Sequence, residues 1–122
     1  MTNANLIKDT LEALGYPAFN GFTMSDDRVY FIFDLSTEGI LYADNRPVSE
    51  ITYATVHLFA QTDFDPIELV EKTKRALFAV GYTWPEVIPV SSGSKGYGSE
   101  ADDMRHYVFE CERADMISAE EG

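Results

Sequence analysis

Two histidines, one cysteine, three aspartate pairs and a glycine-rich run are the residues of this chain whose types and spacing could do chemistry. His57 and His106 each fall in a segment that alternates like a strand, so they become neighbours if those segments pair. Two imidazoles alone do not make a zinc site, and no third ligand stands at a helpful spacing. Surface histidines on paired strands are the simpler account. Cys111 alternates with Tyr107 and Phe109, which suits a buried thiol acting as a small apolar residue. A nucleophilic cysteine wants a histidine base and an electropositive setting, and Glu110 and Glu112 supply the opposite. Gly93-Ser94-Lys95-Gly96-Tyr97-Gly98-Ser99 invites comparison with a phosphate loop. That motif needs its Lys after the glycines and a helix behind it, whereas Glu100, Asp102 and Asp103 follow here and repel an anion. Asp26/Asp27, Asp63/Asp65 and Asp102/Asp103 sit in turn-like stretches, where Asp bonds its own backbone, and none has calcium-loop spacing. These residues do not converge on an active site. The chain reads as a non-enzyme, with no cofactor and no metal.

The elements that would position them centre on Ile51–Tyr82. Ile51–Gln61 is β-branched and aromatic without Gly or Pro, as in a long strand. Asp65 as N-cap, Pro66 at the first helical position and Glu68 two residues on open a helix. Ile67, Val70, Thr73, Leu77, Phe78 and Val80 are its expected buried stripe, Glu68–Lys72 and Glu71–Arg75 its ion pairs, and Gly81 its stop. Ahead of this, Asn3–Leu14 reads as a helix capped by Asn3 or Asn5, with Ile7, Leu11 and Leu14 on one face and Gly15 and Pro17 ending it. Tyr16–Phe22 reads as an aromatic connector. Arg28–Leu35 alternates, with Val29, Phe31, Phe33 and Leu35 on one side. Ser36–Gly39 is expected to turn, and Ile40–Ala43 to return as a short strand. Behind it, Val87–Val90 is a Pro-flanked edge strand, Ser91–Asp103 a mobile Gly/Ser loop, and His106–Arg113 a last strand. The sum is one α+β domain over 1–113, followed by a flexible acidic tail at 114–122. Its mostly antiparallel sheet of four or five strands is packed by two helices in the order α-β-β-β-α-β-β.

Nine Lys and Arg stand against 21 Asp and Glu, a net charge of −12. Such a surface is repelled by nucleic acid and anionic lipid, so direct nucleic-acid binding is not expected. The charge serves solubility, meets a basic partner, or mimics nucleic acid. Hydrophobic residues make up 45% of the chain, yet no apolar run approaches the roughly 20 residues of a membrane span. The early residues do not read as a signal peptide, and a single cysteine suits a reducing cytoplasm.

One pattern needs explaining. In Ile51–Gln61, Ala54, Val56, Leu58 and Ala60 suit a helix-covered face. The opposite row, Ile51, Tyr53, Thr55, His57, Phe59 and Gln61, is neither clean core nor clean solvent, and Tyr30, Tyr42 and Tyr107 also read as lying on mixed faces. Either the first helix and the Tyr16–Phe22 connector form a second layer over that row, or it is a subunit interface, where Tyr and Phe are enriched.

The layout resembles the small tail-completion, or tail-terminator, proteins of long-tailed phages and prophages. The likeness rests on a first helix ending in Leu14-Gly15-Tyr16-Pro17 and a long strand ending in Thr62-Asp63. A helix marked by Asp65, Leu69, Leu77 and Gly81 follows, then a short strand, a loop and a last strand. It covers about residues 1–113, while the extended Ser91–Asp103 loop and the acidic tail depart from it. The resemblance implies an α+β protein made in the bacterial cytoplasm and carried in the virion at the tail–neck junction. There it forms a ring, commonly a hexamer, that caps the tail tube and meets the head connector, with no membrane partner. In that role Tyr53, Thr55, His57 and Phe59 are the expected subunit interface. Ser94, Lys95, Gly96, Tyr97 and Gly98 are the expected contact with the tail-tube protein. Another neck or minor capsid protein is the near alternative. An acidic DNA mimic that blocks a host nucleic-acid-binding protein is the distant one.

Overall fold

A computed structural model describes residues 2–21, 25–43, 46–90 and 104–116. The order is α1 (Asn3–Glu12), β1 (Ala18–Asn20), β2 (Val29–Ala43), β3 (Arg46–Gln61), α2 (Ile67–Ala79), β4 (Glu86–Val90) and β5 (Met104–Met116). The strands form one sheet in the order β1-β2-β3-β5-β4. β1 is parallel to β2 and every other pairing is antiparallel. The fold is α+β with the expected order of elements.

Alternation decides the faces. Val29, Phe31 and Phe33 of β2, Ala54, Val56, Leu58 and Ala60 of β3, and Phe109 and Cys111 of β5 share one core with Ile7 and Leu11 of α1 and Leu69 and Leu77 of α2. Both helices therefore lie on the same side of the sheet. Tyr82 joins the far ends of this layer: its hydroxyl donates to Asn3 Oδ1 at 2.6 Å, and Asn3 Nδ2 donates to Thr52 Oγ1 at 3.2 Å. Burial pushes the Tyr82 phenol up to about 12, which keeps it a donor.

Helix ends follow their caps. Thr2, rather than Asn3 or Asn5, caps α1, its side-chain oxygen accepting from the Asn5 N–H at 3.1 Å. At α2 the expected start is shifted by one residue: Pro66, not Asp65, stands at the N-cap, where its side chain has nothing to accept with, and Asp65 Oδ1, one position ahead, accepts from the Ile67 N–H at 3.2 Å. At the other end Gly81 takes φ 102°. Its N–H bonds Phe78 O at 3.1 Å and the Tyr82 N–H bonds Leu77 O at 3.2 Å, the Schellman pattern that needs a residue at positive φ.

Further expectations are corrected. β2 runs unbroken through Ser36–Gly39: Gly39 marks a register shift inside the strand, and the chain reverses only between Ala43 and Arg46, which pair. A glycine within a strand marks a bulge as readily as a turn. The connector contains a three-residue strand, β1, too short to show a period. On α2 the buried stripe is Leu69, Thr73 and Leu77, with Ile67 70% and Phe78 56% exposed. Lys72 pairs with Glu68 at 3.1 Å as expected, but Glu71 pairs with Lys74 at 2.5 Å instead of with Arg75. The last strand also runs past its expected end at Arg113: Ala114, Asp115 and Met116 pair with Ile51, Glu50 and Ser49 of β3, so the expected flexible tail at 114–122 does not begin at 114. The loop at Ser91–Asp103 and residues 117–122 lie outside the described residues.

Candidate functional site: the open face of the sheet

The residues singled out for chemistry separate once the strands pair. Cys111 is buried under the helices, and burial raises its thiol to about 12, so it carries no thiolate near neutral pH. Tyr107 also packs on the helix side, against the same core, rather than on a mixed face. The two histidines do meet. His57 Nδ1 and His106 Nε2 stand 2.8 Å apart, diagonally across β3 and β5, where Phe59 is the residue directly opposite His106.

Around them lies an aromatic row set by register. Tyr30, Phe59 and His106 are directly opposite one another on β2, β3 and β5. Tyr30 stacks on Phe59 with centroids 5.1 Å apart, and Phe59 on His106 at 4.3 Å. Phe19 of β1 meets Tyr30 edge-on at 6.3 Å. Tyr30, Ile32 and Phe59 form a second, smaller core on the face opposite the helices. Among the described residues no helix lies over it, so the expectation that the first helix covers this row does not hold; of the described connector residues, Phe19 packs against it.

A 2.8 Å contact between two imidazole nitrogens requires one to donate N–H and the other to accept it. Burial lowers the pKa of both rings. For His57 the Asp34 carboxylate partly opposes burial; for His106 the neighbouring His57 adds to it and the value falls to about 4. The pair is therefore neutral at neutral pH, sharing one N–H between the rings. Among the described residues no group of three or more His, Cys, Asp or Glu side chains is placed to hold a metal ion.

Of the expected interface residues, Tyr53 is exposed, Thr55 and His57 are half-buried, and Phe59 is only 3% exposed. Phe59 is thus interior to the stack, and its large apolar side chain is not the contact surface its position on the strand suggests. The accessible part of this face lies further along and across. Ile88 of β4, 42% exposed, pairs with the half-buried Val108. Carboxylates border them: Asp34 opposite Thr55, Glu110 between Thr55 and Glu86, and Glu112 opposite Tyr53. Glu86 and Glu110 are both exposed and directly opposite, an unfavourable like-charge pair. Sequence reasoning missed this border because it appears only when β4 is placed beside β5. The loop residues Ser94–Gly98 lie outside the described residues.

A cleft of about 340 Å³ opens elsewhere, lined by Tyr16, Pro17, Asp27, Arg28, Val29 and Phe64. Its guanidinium is already held by Asp63 at 2.6 Å and Gln61 at 3.0 Å, and its lining holds neither imidazole nor thiol. Among the described residues no helix is long and apolar enough to cross a membrane. No protein-family model matches the chain, and no curated protein matches it.

Proposed function

We propose that the chain is a non-enzymatic virion-assembly protein, a tail terminator whose ring caps the tail tube of a long-tailed phage and joins it to the head connector. The observation that carries this reading is the fold itself. The element order is that of the layout the resemblance implies, with both helices gathered on one side and the second face of the sheet left without a helix among the described residues. A face with an aromatic centre and an exposed apolar margin suits association between subunits. The role needs binding surfaces and no bond-making chemistry. The test is functional: purified chain added to polymerising tail-tube protein of the same phage stops tube growth, and negative-stain images show a ring at the tube end. Tubes of unchanged length with bare ends would overturn the reading. A neck or minor capsid protein of the same assembly would instead bind the connector and leave tube length alone.

One observation favours a second reading. Asp34, Glu86, Glu110 and Glu112 gather on one sheet face rather than in turns, as an acidic mimic of DNA requires. Titration against a basic DNA-binding protein, with affinity falling steeply as salt rises, would support it; no binding at low salt would remove it.

A further inference from the structure

The outer side of α2 contrasts with the sheet face behind it. Phe78 is 56% and Trp84 50% exposed, and their rings meet edge-on at 5.6 Å. Lys74 stands over the Trp84 ring at 5.6 Å. Lys72, Lys74 and Arg75 are three of the chain's nine basic residues, gathered on one helix. Lys72 and Lys74 are engaged by Glu68 and Glu71. Arg75 is exposed and has no ion pair among the described residues. This is an aromatic knob with an ammonium over one ring and Arg75 three residues before Phe78 on the same helix, the kind of composition that carries most of the binding energy at protein interfaces.

The open face presents the complement. Ile88 and Val108 form an apolar margin, bordered by Glu86, Glu110, Glu112 and Asp34. None of these four carboxylates has an ion pair among the described residues, and Glu86 and Glu110 oppose each other across β4 and β5. A cation brought to that border relieves the repulsion, and an aromatic ring set on Ile88 removes its exposed apolar surface from water. The two surfaces lie on opposite sides of the sheet, so one chain cannot satisfy itself.

We infer that a second copy of this chain occupies the carboxylate-bordered margin of the open face, docking there with Phe78, Trp84 and Arg75 of its α2 side. The contact is heterologous: each copy offers its helix side to one neighbour and its sheet face to the next, which closes a ring when the rotation permits and extends a filament when it does not. The inference rests on the ring reading above and names the two surfaces that meet.

The test is self-association followed by light scattering at up to millimolar concentration, with circular dichroism to establish that each variant is folded. Wild type is expected to assemble, and more weakly as salt rises. Arg75→Glu and Glu110→Lys, both at exposed positions, are each expected to weaken association at least about tenfold, and Trp84→Ala by a similar factor. The double variant Arg75→Glu/Glu110→Lys, and an equimolar mixture of the two single variants, are expected to regain assembly because the charges are exchanged across the same contact. If wild type assembles and Arg75→Glu and Trp84→Ala assemble equally well, this pairing of surfaces is wrong while the ring reading stands. If wild type neither associates at millimolar concentration nor binds the tube, both fall.

Discussion

On one side of the sheet Phe31, Phe33, Val56 and Phe109 lie beneath two helices; on the other, Tyr30, Phe59 and His106 stack across three strands with no helix over them among the described residues. The first face is filled mainly by aliphatic and phenyl groups held by close packing, with the Tyr82–Asn3–Thr52 hydrogen bonds joining its ends. The second is filled by rings, two of which carry polar atoms, and it is bordered by carboxylates. Dispersion and buried area carry most of the helix side. The open side depends on register, because Tyr30, Phe59 and His106 meet only when all three strands pair as they do. One face therefore specifies the domain, and the other couples ring stacking to protonation and to whatever approaches its border.

The sharpest way to separate the faces is to truncate one ring on each. Phe33→Ala, beneath the helices, is expected to cost ~3–5 kcal/mol in urea unfolding. The same change at Phe59 should cost less, ~2–3 kcal/mol, because its ring is held by stacking rather than between two layers. Equal losses would show that the open face is packed as tightly as the core, and no loss at Phe59 would show that the stack contributes nothing. Acidification probes the difference next. In the fold both imidazoles are held below their ordinary 6.5, His106 at about 4. The unfolded chain therefore binds more protons across that interval, so their contribution is intact above pH 6.5 and is lost as pH falls toward 4. His106→Gln should flatten the dependence of the unfolding midpoint between pH 6.5 and the onset of carboxylate titration; an unchanged slope would deny the pair its role. The smallest effect belongs to the margin of the open face. Tyr53→Phe removes a hydroxyl that reaches Glu38 at only 3.4 Å in an exposed position, and its midpoint should stay within ~0.5 kcal/mol of wild type. A larger loss would mean that the margin is structural.

Much of the helix-covered face was legible in the sequence. The two-residue period of Val29, Phe31, Phe33 and Leu35 and of Tyr107, Phe109 and Cys111 assigns those side chains to one side, and β3 follows the same rule. What escaped had physical reasons. Ala18–Asn20 is too short to display a period. Gly39 satisfies a bulge and a turn alike, and only the pairing of Ala43 with Arg46 distinguishes them. On α2, Ile67, Phe78 and Leu69 are all apolar, so hydrophobicity alone does not set the angle of the buried stripe; the position of α1 and the strands beneath does. The approach of His57 to His106 was foreseeable only as a condition on pairing. The carboxylate border was beyond reach, since Glu86 and Glu110 are 24 residues apart and meet through a β4–β5 register that no local pattern encodes.

The strand order has a consequence for how the chain is made. β5 lies between β3 and β4, which touch each other nowhere in the sheet. As the polypeptide leaves the ribosome, β4 has no edge to join, and the long inner edge of β3 stays open until Met104–Met116 emerges. The domain therefore closes late, by insertion of its last strand into a waiting gap. Until then that edge is available to other nascent chains.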